Sequence, residues 1–61
     1  MPYIVKINTR KLNVRTGPGT NYPIKTYVYY NYKFTIVEEK EGWGRLKSGA
    51  GWIALEYTVK V

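Results

Sequence analysis

A dense cluster of turn-forming residues between Thr16 and Pro23 limits what this chain can fold into. Positions 17 to 23 hold two glycines and two prolines, in the segment Thr-Gly-Pro-Gly-Thr-Asn-Tyr-Pro. Proline lacks a backbone N–H and fixes φ, and glycine disfavours regular structure, so no helix can run through this segment. The cluster therefore predicts a long, shaped loop.

Short alternating segments on both sides of this loop predict β-strands. In the first of them, Tyr3, Val5 and Ile7 share one face. No segment has the sustained apolar period of 3.6 residues that is typical of an amphipathic helix. Asn31 is expected to supply a turn with positive φ. We predict strands over residues 3–7, 12–15, 26–32, 33–38, 43–47, 52–55 and 58–61, with turns over 39–42 and 48–51.

The predicted class is all-β, and the length of the chain favours a small, partly open β-barrel. With 61 residues the chain forms one domain, residues 1–61, with a thin margin of stability. The sequence has no Cys and no His, which excludes disulfides and thiolate or imidazole metal sites. Seven Tyr, two Trp and one Phe must stabilise the fold by packing.

The residue types that usually carry catalysis are missing from the sequence. It contains no His, Cys or Asp, and the carboxylates of Glu38, Glu39 and Glu41 fall together in a polar turn. Ser48 lies in a Gly-rich turn with no base nearby in sequence. The pattern indicates a binding module and not an enzyme, with no metal and no cofactor.

The chain is basic, with a formal net charge of +6. Such a field attracts polyanions, among them nucleic acid, anionic lipid and anionic cell-wall polymers; the alternative is a solubilising surface. No apolar stretch approaches the length of a membrane span, and the first residues do not form a signal peptide. We therefore expect no membrane contact, and any targeting segment to lie outside this chain.

Strand alternation predicts which side chains face the core. On the strand from Trp43, Leu46 should point inward, because the opposite choice would bury Arg45 and Lys47 unpaired. Trp43 is then expected outside on a basic face, whereas Trp52 is expected in the core. Arg15 is expected to brace the loop, and the core is expected to contain Leu12, Val14, Ile36, Leu46 and Ile53.

Two motifs resemble the hallmarks of bacterial SH3 domains. The first is Leu-Asn-Val-Arg-Thr-Gly-Pro-Gly-Thr-Asn-Tyr over residues 12–22; the second is Gly42-Trp43, followed by Gly51-Trp52-Ile53 and a closing Tyr57. The resemblance covers roughly residues 4 to 57 and implies a small SH3-like barrel. It also implies an extracellular or cell-wall role, in which the domain binds the peptide stem or cross-bridge of peptidoglycan and holds a cell-wall hydrolase, such as an amidase or endolysin, on the wall.

The resemblance also suggests where a ligand would bind. The positions of Tyr22, Trp43 and Tyr57 resemble those that form the groove of SH3-like folds. Asn21, in the loop, is expected to contact polar groups of the ligand. Tyr29 and Arg45 are secondary candidates. The tyrosine-rich run over residues 27–32 departs from the family pattern, which usually has a Gly there.

Several alternatives remain open from the sequence. The chain could bind nucleic acid, bind Pro-rich or other protein segments, or form part of a sensor or transporter ectodomain with no wall ligand. Residues 3–7 and 57–61 are identical at three of five positions, in Tyr, Val and Lys. This similarity suggests that the chain is one module of a tandem array. The alternative is that the two segments are edge strands of similar composition.

Overall fold

The structure is a computed structural model that describes residues 2–61. Its strands are β1 (Tyr3–Ile7), β2 (Lys11–Arg15), β3 (Ile24–Tyr29), β4 (Lys33–Lys40), β5 (Trp43–Leu46), β6 (Trp52–Ala54) and β7 (Thr58–Lys60). A single 3-10 turn, Leu55–Tyr57, joins β6 to β7. The predicted all-β class is confirmed. No helix within residues 2–61 is long and apolar enough to cross a membrane.

All seven strands of the described chain belong to one antiparallel sheet, in the order β3-β2-β6-β5-β4-β1-β7. The sheet is not fully closed, since β3 and β7 form its two edges. This is the partly open, SH3-like barrel that the sequence predicts. The outer position of β3 leaves one side of this strand without a strand neighbour.

Apolar side chains from six strands form the core. All five residues predicted for the core are buried, and Ile36, Leu46 and Ile53 are at most 1% exposed. Burial of Leu46 with Arg45 exposed confirms the predicted orientation of β5. The buried cluster consists of Val5, Ile7, Leu12, Val14, Val28, Ile36, Leu46 and Ile53.

Trp52 is not part of this buried cluster, so its predicted place in the core is wrong. The side chain is half-buried, whereas the next residue, Ile53, is completely buried. Successive side chains of a strand point to opposite faces, so the inward position of Ile53 leaves Trp52 on the outer face of β6.

Two turns differ in extent from the sequence prediction. Strand β3 ends at Tyr29, three residues early, because Asn31 adopts a φ of 75° in the following turn. The positive φ expected of Asn31 is therefore confirmed. The hairpin between β4 and β5 turns only at Glu41 and Gly42, both with positive φ (51° and 84°). A two-residue turn of this kind matches the twist of the strands, and β4 therefore extends through residues 39 and 40.

Candidate functional site

A groove runs across the outer surface where β2, β5, β6 and the 3-10 turn meet. It consists of three adjoining depressions of about 290, 210 and 330 Å³. The central depression shares Asn13 and Tyr57 with one neighbour, and Thr20 and Trp43 with the other. We call this surface the groove; its lining residues are Thr9, Lys11, Leu12, Asn13, Arg15, Thr20, Glu41, Gly42, Trp43, Ala54, Leu55, Glu56 and Tyr57.

Trp43 lies at the first position of β5 and lines two of the three depressions. Its partner across the sheet is Ala54 of β6, whose small side chain leaves the indole room on the outer face. The predicted position outside the core is confirmed, although the side chain is half-buried and not fully exposed. A ring held in this way offers a rigid apolar wall to a ligand.

The 3-10 turn places Tyr57 at the centre of the groove. The ring is 47% exposed and lines two of the depressions. The backbone carbonyl of Tyr57 accepts a hydrogen bond from the Asn8 N–H at 2.8 Å, and the Thr58 hydroxyl donates to the Leu55 carbonyl at 2.8 Å. These bonds fix the turn and thereby the position of the tyrosine.

Arg15 braces the loop over residues 16–23, as predicted. Its Nη1 atom donates hydrogen bonds to the carbonyl oxygens of Thr20 (3.1 Å) and Tyr22 (2.9 Å). The ends of the loop are joined by a bond from the Thr16 N–H to the Pro23 carbonyl at 3.1 Å. The loop therefore has a defined shape, and Thr20 is held at the rim of the groove.

Tyr22 and Asn21 do not line the groove, which departs from the sequence prediction. The ring of Tyr22 packs on Gly17 and near Gly19 within its own loop, with 41% of the side chain exposed. Asn21 is exposed, and its amide oxygen lies close to Gly19. Because neither glycine has a side chain, the side chains of Asn21 and Tyr22 can pack against the backbone of their own loop.

Arg45 also lies outside the groove, although it shares a face with Trp43. Its Nε atom forms an ion pair with Glu38 Oε1 at 2.9 Å. A register shift between Ile36 and Glu38 places Glu38 directly opposite Arg45, so the carboxylate holds the guanidinium there. Both side chains are about half exposed, and such a pair contributes little stability.

Tyr29 is separated from the groove by strand β2. It lies on the edge strand β3, opposite Lys11, and contacts Tyr32 edge-on with ring centroids 5.9 Å apart. The structure thus brings together Trp43 and Tyr57 from the predicted set of site residues. It places Asn21, Tyr22, Tyr29 and Arg45 elsewhere.

The polar residues of the groove were missed by the sequence prediction. Lys11 and Asn13 precede and follow the buried Leu12 on β2, so both point outward, and Glu56 is presented by the 3-10 turn. One signal was available, since Asn is depleted in strands and Asn13 lies in the middle of one. Glu41 and Glu56 flank the Trp43 end, and Lys11 lies at the other end.

Comparison with protein families gives one clear match. The model described as the bacterial SH3 domain matches residues 10–59. Searches of curated proteins and of solved structures found no match. Among residues 2–61 there is no group of three or more side chains suited to hold a metal ion. Because the match covers most of the chain and the fold agrees with it, the chain belongs to the bacterial SH3 domain family.

Proposed function

We propose that this domain is a non-catalytic module that binds the peptide part of bacterial peptidoglycan and holds an attached hydrolase on the wall. Domains of this family are commonly cell-wall binding and typically have no catalytic activity. The proposed location is therefore the cell wall or the extracellular side of a bacterium.

The observation that carries the proposal is the groove between Trp43 and Tyr57. A wall peptide is flexible and loses conformational entropy when it is held, so a site formed before binding reduces the cost. Trp43 is fixed by strand pairing and Tyr57 by the bonded 3-10 turn. Such rings give a large contact area with few rotatable bonds.

The charges of the groove suit a peptide with both an amine and a carboxylate. Lys11 and Arg15 can pair with carboxylates of a stem peptide, and Glu41 and Glu56 can pair with an amine at the Trp43 end. Asn13, between these ends, offers a donor and an acceptor to peptide groups.

Retention on purified peptidoglycan tests this function. Peptidoglycan freed of anionic polymers is incubated with the domain at moderate salt, and soluble stem peptides are then added as competitor. We expect the domain to be retained and then released by the peptides. Failure to bind the stripped peptidoglycan, or equal binding to glycan strands without peptides, would contradict the proposal.

A further inference from the structure

The net charge of the domain is confined to one part of the chain. Residues 1–37 contain six basic residues and no acidic residue, whereas residues 38–61 contain four of each. The whole formal charge of +6 therefore lies on the segment that forms β1, β2 and β3 and leads into β4.

Part of this charge lies on an exposed aromatic surface. On β3, Tyr27 and Tyr29 lie on either side of Val28, which is buried, so both rings share the outer face. Lys25 is exposed two residues before Tyr27, where a register shift interrupts the pairing of β3 with β2. Lys11 lies on the same face of β2, opposite Tyr29. We call the surface formed by Lys11, Lys25, Tyr27 and Tyr29 the tyrosine face.

Two contacts order the Lys11, Tyr27 and Tyr29 side chains of the tyrosine face. The Nζ atom of Lys11 lies 4.1 Å from the centroid of the Tyr27 ring, a cation–π contact that holds the ammonium at the surface. The edge-on contact between Tyr29 and Tyr32 fixes the neighbouring ring. Even so, Tyr27 and Tyr29 remain 43% and 44% exposed.

Within the part of the chain that the structure describes, no carboxylate forms an ion pair with this surface. The one ion pair found within residues 2–61 joins Arg45 and Glu38, on β5 and β4. The contact of Lys11 with an aromatic ring leaves its charge in place, and the exposed tyrosine hydroxyls can donate hydrogen bonds. Cations without counter-ions, beside exposed rings on an edge strand, are complementary to an extended anionic chain.

We propose that the tyrosine face binds an anionic, phosphate-bearing polymer of the bacterial wall. Lysines at two positions meet successive phosphates, and the rings of Tyr27 and Tyr29 pack on the carbon skeleton between them. Lys11 also lines one end of the groove, so the two surfaces adjoin. This is a second ligand at a second surface, beyond the peptide assigned to the groove.

The test compares two preparations of the same walls, one with its anionic polymer and one from which the polymer has been removed. The measured quantity is the ratio of the two affinities at several salt concentrations. We expect tighter binding to the polymer-bearing walls, with an advantage that decreases as salt rises, because bound lysines release counter-ions from the polymer.

Two double variants with the same net charge locate the site. Lys11→Gln/Lys25→Gln should reduce the affinity ratio several-fold and make the salt dependence shallower, by roughly 1 to 2 in the slope of log affinity against log salt. The control, Lys40→Gln/Lys47→Gln, removes two exposed lysines from the neutral segment and should change neither quantity.

Three results would overturn the inference. They are equal binding to both wall preparations, equal effects of the two double variants, and displacement by single-stranded DNA at a much lower phosphate concentration than by the purified wall polymer. If the wild-type domain binds stripped peptidoglycan but gains no affinity from the polymer, this inference alone is rejected. Loss of binding to stripped peptidoglycan alone rejects the peptide proposal and leaves this one standing.

Discussion

The ring of Tyr22 lies directly against the backbone of Gly17. A Cβ atom on Gly17 would lie 2.4 Å from two ring carbons, closer than any such contact can be. Together with the two bonds from Arg15, this packing gives the loop over residues 16–23 its shape. The loop in turn places Thr20 at the rim of the groove.

Replacement of Gly17 by alanine should displace the Tyr22 ring. We expect the free energy of unfolding to fall by about 1–3 kcal/mol, the usual cost of overpacking. A double-mutant cycle measured by urea denaturation checks the cause. Gly17→Ala should cost much less in a Tyr22→Ala background, because the clashing ring is gone. An equal cost in both backgrounds would show that the contact is not responsible.

Alanine substitutions at two glycines distinguish the cost of backbone strain from the cost of a steric clash with the backbone. Both Gly49 (φ +83°) and Gly51 (φ +142°) have positive φ, but only at Gly51 would a Cβ atom lie 2.4 Å from the Arg15 carbonyl oxygen. Gly49→Ala should cost about 1–3 kcal/mol for the strain. Gly51→Ala adds the clash where β6 pairs with β2 and should leave the chain largely unfolded. Equal unfolding midpoints in urea would contradict this.

Tyr3 gives the domain a pH-dependent contribution to stability. Burial, the hydrogen bond that its hydroxyl donates to Glu39 and the negative charge of Glu39 together raise the pKa of Tyr3 from 10.0 to about 12. A raised pKa in the folded state means that folding favours the neutral phenol. The contribution is therefore complete below pH 10 and is lost as pH rises towards 12.

The measurement is the free energy of unfolding of the wild-type domain and of Tyr3→Phe at several alkaline pH values. Between pH 10 and 12 the wild-type value should fall more steeply than that of the variant. Tyr30→Phe, which removes a hydroxyl from a ring that is 57% exposed, is the matched control and should follow the wild type. Parallel curves for the wild type and Tyr3→Phe would contradict the role of Tyr3.

Truncation of Trp43 should weaken wall binding more than it affects folding. For Trp43→Ala we expect a loss of at least ~1–2 kcal/mol in binding to stripped peptidoglycan, as for an interface anchor. Circular dichroism should still report the folded domain, because Trp43 lies outside the core cluster. Tyr30→Ala, which removes an exposed ring that does not line the groove, should bind as the wild type does. An unfolded Trp43→Ala, or unchanged binding, would contradict the assignment.

Much of the fold could be predicted from the sequence because its signals are local. Alternation on β5 identified Leu46 as buried, since the opposite orientation would have buried Arg45. The tolerance of Asn for positive φ identified the turn at Asn31. In both cases the local structure is determined by one residue and its immediate neighbours in the sequence.

The groove could be predicted only in part because its residues come from separate strands. Trp43 and Tyr57 were identified through the family resemblance, but Asn13 and Glu56 join them only when β2, β6 and the 3-10 turn are packed together. Tyr22 does not line the groove, because the lack of a side chain at Gly17 lets its ring pack back on the loop. Sequence spacing cannot distinguish a ring that faces a ligand from one that shapes a loop.

An NMR titration of the labelled domain with a soluble stem peptide shows whether the groove binds a wall peptide. Binding in the groove should give saturable shifts at the Trp43 indole N–H and at the backbone amides of Asn13, Thr20 and Tyr57. Residues of the tyrosine face beyond Lys11 should remain unshifted. Saturable shifts centred on Tyr27 and Tyr29, or no shifts at peptide concentrations that release the domain from peptidoglycan, would show that the groove does not bind the peptide.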